Sequence, residues 1–324
     1  MKQNPAVQGP SRPSCPNRPA RPARLTGPAR PSVPAGHDAS APPALRCAAA
    51  ITVLGIAAVF GFVTVYALPV LLSGQGLAVL SWRWLPAAGQ FGILPMVCGS
   101  VLLACSALLL GWPLALCLCG WMHGLGPARP ARALRQLVHG MAAVPTVVYG
   151  FVSVFLLVPL VRQAGQGSGL CWLSAALVLA LLVLPTMVVI MDAALREQGR
   201  SLRLTGAALG LSPAQVFAHV MLPGARRWLI TAGVFGFGRA VGDTLIPLML
   251  AGNAPGVPAS PFDALRTLTA HMALVMSTDA GSTAYHSLFA AGILLLAVSA
   301  GVSLAVRRLR GTGQESLSDA EWRP

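Results

Sequence analysis

Lysine is almost absent from this 324-residue chain: Lys2 is the only one, and the other 22 of its 23 basic residues are arginine. A Walker-type loop needs a lysine that reaches the nucleotide phosphates, so the chain has no such ATPase motif of its own. Charge of either sign is scarce, at 10% of residues, with nine acidic side chains in all. The seven cysteines (Cys15, Cys47, Cys98, Cys105, Cys117, Cys119 and Cys171) form no CxxC pair and no Cys/His metal spacing. All but Cys15 lie in or beside apolar runs, where a thiol packs as a small hydrophobe. Clustered nucleophile, acid/base or metal-ligating residues are also missing. No catalytic residue, metal ligand or cofactor is therefore expected, and an integral-membrane enzyme is disfavoured. The net charge of +14 lies in tails and between apolar runs without interleaved aromatics, which speaks against a nucleic-acid surface.

The chain is 55% hydrophobic with a mean hydropathy of +0.68, above the roughly 45–50% of a soluble domain. Six apolar runs reach the roughly 20 residues that a membrane helix needs, at about 47–72, 93–121, 137–161, 170–194, 228–251 and 285–306. The expected fold is all-α and integral to a membrane, with six transmembrane helices. Residues 1–46 hold 11 of the 27 prolines, Lys2 and six arginines, a composition that cannot bury enough surface to order itself. They are expected to form a disordered basic tail, without the apolar core of a signal peptide. Residues 47–310 form the transmembrane domain and 311–324 a second tail.

Counting Lys and Arg by side gives 19 flanking one face of this arrangement and three, Arg83, Arg162 and Arg266, on the other. The positive-inside rule then puts both termini in the cytoplasm. Trp82, Trp84, Trp121, Trp172 and Trp228 sit near run ends, as an aromatic belt does. Pro145 and Tyr149 are read as shaping a bend in the third run.

Inside the fifth run stand Arg239 and Asp243, in GRAVGDT (238–244). An arginine at the bilayer centre costs roughly 2.5–3.5 kcal/mol on insertion scales, so such residues face protein or a solute path. Four residues apart on one helix, the two are expected to pair. Two readings remain, a structural ion pair and a solute contact.

The longest connection between positive-side runs, 195–227, reads as two short helices, LRLTGAALGLSP (202–213) and QVFAHVMLP (215–223), joined by a Ser-Pro turn. By periodicity alone it is either an interfacial amphipathic element or a surface that receives force from a soluble partner. Its histidine, His219, shares that ambiguity. His123 and His139 are read as solvated at the interface, and His271 and Asp279 as belonging to a solvated loop.

Motif order narrows the reading. Gly210, followed after nine residues by Val220, Met221, Leu222 and Pro223, resembles the Glu-Ala-Ala loop of ABC importer permeases. Leu204, Thr205 and Gly206 occupy the Glu-Ala-Ala positions, with Ala207 and Ala208 in the spacer. VPTVVYGF (144–151) with LLVPL (156–160), GRAVGDT with LMLAGN (248–253), and FDALRTLTA (262–270) are together similar to phosphate ABC permeases of the PstC type.

The resemblance covers about residues 50–310 and implies a type I ABC importer permease fold. It also implies a coupling surface at Ala207, Ala208, Gly210, Leu222 and Pro223, and a substrate path at Arg239, Asp243 and Thr244. Its implied partners are a separate ATP-binding subunit, a paralogous permease in a heterodimer, a periplasmic phosphate-binding protein and membrane lipid. The setting it implies is a bacterial inner membrane. Asp243 stands where the family has Glu. That leaves a different oxyanion (molybdate, tungstate or sulfate) as the alternative cargo, and a proton-coupled secondary transporter as a further one.

Overall fold

The computed structural model describes residues 43–72, 81–165, 167–276 and 283–320. The chain divides into two units, Met1–Gly55 and Ile56–Pro324. The described part of the first, residues 43–55, is the start of helix α1 (Pro43–Leu72), and its side chains are exposed throughout. Proline suits a helix start because its missing N–H would have no helical partner there. The helix therefore takes in residues 43–46, which were expected in the tail; residues 1–42 lie outside the described residues.

In the second unit a short hairpin, β1 (Trp84–Leu85) and β2 (Gln90–Phe91), precedes α2 (Leu94–Gly120), which a π turn at Trp121–Leu125 prolongs. There follow α3 (Ala128–Met141), α4 (Thr146–Ala164), α5 (Trp172–Ala208), α6 (Pro213–Val216), α7 (Arg226–Gly242), α8 (Leu245–Leu250), α9 (Leu268–Val275) and α10 (Thr283–Ala320). Among the described residues, five helical stretches are long and apolar enough to cross a bilayer: Pro43–Leu68, Leu94–Gly124, Thr146–Ala164, Trp172–Gly199 and Ser287–Arg308. Helix α10 also continues through 311–320, a stretch expected to be tail.

Two of the six expected runs are corrected. The third begins at Thr146, because residues 137–141 belong to the separate amphipathic helix α3. Proline disfavours helical geometry in the residue before it, and Pro145 itself is extended, so the chain turns there. The Tyr149 hydroxyl donates to the Met141 carbonyl across the turn at 3.0 Å, the bend expected of this pair.

The fifth run is broken. Helix α7 stops at Gly242, Asp243 is extended (φ −76°, ψ 131°), and α8 starts at Leu245. Pro247 explains the position. In a continuous helix its nitrogen would have to donate to the Asp243 carbonyl, and its ring would clash with that carbonyl. The hydroxyl of Thr269 on α9 supplies the missing donor at 2.9 Å.

Helix α5 is the centre of the core and packs along both α2 and α7. Its fully buried Met187 lies between Gly111 of α2 and Gly236 of α7, where an added Cβ would come within 3.0 Å and 2.8 Å of the Met187 side chain. Small residues at such positions let membrane helices approach closely. Two indole bonds tie these helices together, from Trp112 of α2 to the Leu229 carbonyl of α7 and from Trp172 of α5 to the Ser106 hydroxyl of α2.

At the end of the bundle remote from the 195–227 connection, the segment after α8 folds back onto α2 and α5. Leu265 N–H donates to the Ala251 carbonyl, the Arg266 guanidinium to the Asn253 carbonyl, and Leu268 N–H to the Ser100 hydroxyl. Pro261 and Asp263 carbonyls accept from Leu173 and Trp172 at the start of α5. His271, expected in a solvated loop, is fully buried and meets Trp84 edge to face at 4.4 Å between ring centroids. Its correction follows from helix α9 packing inward beneath the hairpin. Asp279 lies outside the described residues.

Two predictions follow from this architecture. Replacing Thr269 with Val leaves the Asp243 carbonyl buried without its donor, a loss of about 1–3 kcal/mol that lowers the thermal unfolding temperature of the purified chain. Burial, reinforced by the nearby positive charge of Arg266, pushes the His271 pKa down from 6.5 to about 4. The unfolded chain therefore binds the proton more readily across that window, and stability falls as pH drops from 6.5 toward about 4. Unfolding temperature measured against pH tests this, with His271→Phe expected to flatten the slope.

Candidate functional site

Arg239 and Asp243 do not share a helix face. Arg239 is in the last turn of α7 and exposed on the surface of the chain, whereas Asp243 is buried past the helix end. No ion pair joins them among the described residues, so the expected i, i+4 pair is corrected. The physical reason is the break itself, which removes the helical register that such a pair needs. One Asp243 carboxylate oxygen instead accepts the Ile246 N–H at 2.9 Å, capping α8. Thr244, between the two helices, is half-buried and its side chain makes no cap. The site thus consists of a guanidinium presented outward beside a carboxylate that is engaged in holding the backbone.

The 195–227 connection is built differently from the expected pair of short helices. Helix α5 runs unbroken for 37 residues to Ala208, so its first half is a prolongation of the fourth span. A left-handed Gly210 (φ +73°) ends it, and Ser212 starts the next helix with a reciprocal cap. The Ser212 hydroxyl accepts from Gln215 N–H while the Gln215 side chain accepts from Ser212 N–H. Pro213 at the first helical position completes a strong start signal. The helical course continues through a π turn, Phe217–Met221, and a last turn, Leu222–Gly224.

Gly206, at the second alanine position of the family pattern, lets this stretch lie close: an added Cβ would come within 2.4 Å of Val216 Cγ2. Val216, Phe217 and Met221 are buried against the core, and Leu222 packs on its edge. Ala207, Ala208, Gly210, Pro223 and His219 are exposed, as are Leu204 at 71% and Leu209 at 72%. Among the described residues this largely apolar surface is left exposed. The residues expected to form the coupling surface and the charged break stand at opposite ends of one helix, α7, whose 17 residues rise about 25 Å.

A third cluster escaped the sequence reading. Asp192 of α5 is buried and accepts four contacts: from His123 Nε2 at 2.7 Å, Arg135 Nε and Nη2 at 3.0 and 2.9 Å, and Arg196 Nη2 at 2.9 Å. Arg203 Nη2 meets His123 Nδ1 at 3.2 Å and the His123 carbonyl at 2.6 Å. Since Nε2 faces a carboxylate and Nδ1 a guanidinium, the network assigns the proton to Nε2. His123 is therefore a buried member of an ion network rather than a solvated interfacial residue, whereas His139 is exposed as expected. The available signal was Asp192 itself, an acid within a long apolar run.

Apolar helices of spanning length around a Gly/Met-packed core define an all-helical integral membrane protein. The profile of the binding-protein-dependent transport system inner membrane component matches residues 107–310. The chain belongs to this family. It is 33% identical over 235 residues to the probable ABC transporter permease protein YqgH of Bacillus subtilis, covering 72% of this chain and 76% of that one. It is 25% identical to the phosphate transport system permease protein PstC of Mesorhizobium japonicum, over 70% and 76% of the two chains.

Among solved structures, the inward-facing MetNI methionine ABC transporter matches with a TM-score of 0.51 at 17% identity. The match covers 67% of this chain and 95% of that one. The type I permease fold, the multi-pass inner-membrane setting and the transport role without an ATPase site of its own are thereby given. Family membership also brings an ATP-binding subunit and a substrate-binding protein as partners.

The turn at Gly210 is testable by itself. An added Cβ there meets nothing within 4 Å, so only the left-handed backbone opposes substitution. Gly210→Val is expected to destabilise by about 1–2 kcal/mol and Gly210→Asn by much less, since asparagine tolerates that region. Thermal unfolding of the two purified variants against wild type checks the order.

Proposed function

We propose that this chain conducts inorganic phosphate as one permease half of an ATP-driven importer. The observation that carries the reading is Arg239: a guanidinium near the far end of α7, exposed on the chain surface and without a carboxylate partner among the described residues. Phosphate carries between one and two negative charges near neutral pH, and a guanidinium offers donors matched to its oxygens. Asp243 would repel the anion. Its carboxylate serves α8 instead, accepting the Ile246 N–H. Thr244 adds a hydroxyl beside the path.

Both termini lie in the cytoplasm in this reading, and the 195–227 surface meets a separate ATP-binding subunit. Leu204 occupies the position of the family's glutamate, so the contact with that subunit there is apolar. The ATPase drives the surface inward, α7 carries the displacement, and the far end alternates its access. A periplasmic phosphate-binding protein delivers the substrate, and a paralogous permease supplies the other half of the path. The name of the Mesorhizobium relative supports phosphate. Molybdate, tungstate and sulfate remain the competing cargo, because a guanidinium accepts any of these oxyanions.

Uptake of labelled phosphate in a complemented strain tests the assignment. At equal membrane levels, Arg239→Ala is expected to lower the initial rate about tenfold or more, the equivalent of one lost charge-assisted contact. Asp243→Asn, whose amide oxygen still accepts the Ile246 N–H, retains most uptake. A wild-type rate in Arg239→Ala would sink the substrate-path role. Stronger competition by molybdate, tungstate or sulfate than by unlabelled phosphate would transfer the role to that anion.

A further inference from the structure

We infer that Arg203 positions the surface that meets the ATP-binding subunit, by gripping His123 at the end of α2, and that Asp192 sets the imidazole for that grip. The inference rests on the reading of 195–227 as the coupling surface. Helix α5 is apolar enough to span only as far as Gly199, yet it runs on to Ala208, so residues 200–208 stand beyond the spanning stretch. The stretch that follows holds one side of this extension: Val216 lies against Gly206, and the Met221 side chain against Gly199. Arg203 ties the extension to the end of α2. The exposed residues that follow it directly, Leu204, Ala207, Ala208 and Leu209, take their orientation from these holding points.

The grip answers a need of the backbone. Four residues after His123 comes Pro127, which has no N–H, so the His123 carbonyl lacks the usual helical donor where the prolonged α2 ends. Arg203 Nη2 donates to that carbonyl at 2.6 Å. The same nitrogen lies 3.2 Å from His123 Nδ1, which accepts only when the ring carries its proton on Nε2. Asp192, 2.7 Å from Nε2, keeps the proton there. With the proton on Nδ1, the ring would turn an N–H toward the guanidinium and repel it. Asp192 thus acts on Arg203 through the imidazole, about three helical turns away along α5. Arg135 and Arg196 bind Asp192 independently, so the imidazole can be changed without leaving the acid unpaired. A surface already held in one orientation has less freedom to lose when a partner docks, so the grip raises affinity without adding a contact.

The test titrates the purified full-length chain, in lipid nanodiscs, with the importer's ATP-binding subunit. Arg203→Met keeps the stem and removes the donors; His123→Phe keeps a ring and removes the acceptor. Each is expected to weaken binding about tenfold, the equivalent of one charge-assisted bond. His123→Asn retains an acceptor near the Nδ1 position and recovers most of the affinity, a rescue that separates the grip from general packing. The double variant Arg203→Met/His123→Phe binds no more weakly than either single one, because both cut the same link. Amide hydrogen exchange over 200–210 quickens in the two single variants, while exchange in α4 stays at the wild-type rate and so reports an intact fold. Leu209→Asp, on the surface itself, checks the underlying reading, and none of these readouts depends on the cargo. If Leu209→Asp weakens binding but Arg203→Met and His123→Phe bind as wild type does, or if their losses add in the double variant, the inference alone is overturned. If Leu209→Asp binds as wild type does, the coupling-surface reading falls and takes the inference with it.

Discussion

Inside a bilayer a backbone carbonyl that loses its helical donor must find another within the protein, and at Asp243 it finds the hydroxyl of Thr269. Much of the far end of the molecule depends on that substitution. Pro247 makes the loss unavoidable, the break frees Asp243 to cap α8, and α8 then turns the chain back toward α2. From there Leu265, Arg266 and Leu268 each bond to a fixed neighbour, the Ala251 carbonyl, the Asn253 carbonyl and the Ser100 hydroxyl. The result is irregular backbone that is buried in protein, the setting in which membrane proteins tolerate it. It also brings α7 to an end three residues beyond Arg239, close to where the chain reverses.

A second buried acid organises the opposite end. Asp192 is surrounded by donors from three separate elements, so it joins the end of α2, helix α3 and the extension of α5 at a single point. Removing a charge from water is costly, and a pair of this kind adds little net stability over an apolar core. Its contribution is geometric: α3 is amphipathic and short, and the carboxylate holds its Arg135 in one place. The surface following Leu204 is consequently displayed from a rigid support instead of from a loop.

The gross design was legible in the residues because hydropathy and length are local quantities. Apolar runs, the turn at Gly210, the Ser212–Pro213 start and the bend at Pro145 all declare themselves within a few positions. The broken fifth run was legible in principle, since a proline acts on the carbonyl four residues earlier. The unbroken apolar character of 245–251 concealed it, and the helical spacing of Arg239 and Asp243 suggested a pair that the backbone does not permit. The Asp192 network was hidden for a different reason. Two of its three partners, Arg135 and His123, lie 57 and 69 residues away in the chain, and the positive side count treats Arg135 as a marker of orientation, although the structure gives it a specific contact. His271 was misplaced likewise: a short polar-flanked segment reads as loop until the hairpin that covers it is known.

Helix α7 links these two ends. It begins at Arg226, immediately after the turn that closes the coupling stretch, and finishes at the break beside Asp243. Its inner face is pinned by Gly236 against Met187 and by the Trp112 indole at Leu229, so it packs with α5 and α2 as one unit. On the proposed function, a displacement at Arg226 would be carried along the helix to Arg239. It would be taken up at Asp243 and Thr244, where the helical hydrogen-bond ladder is interrupted and the Thr269 hydroxyl serves the Asp243 carbonyl. The break that takes Asp243 out of ion-pair contact with Arg239 is also where, on that proposal, the far segment would change its angle to α7. The same backbone feature determines which charge faces outward and, on the proposed function, where the transmitted motion would end.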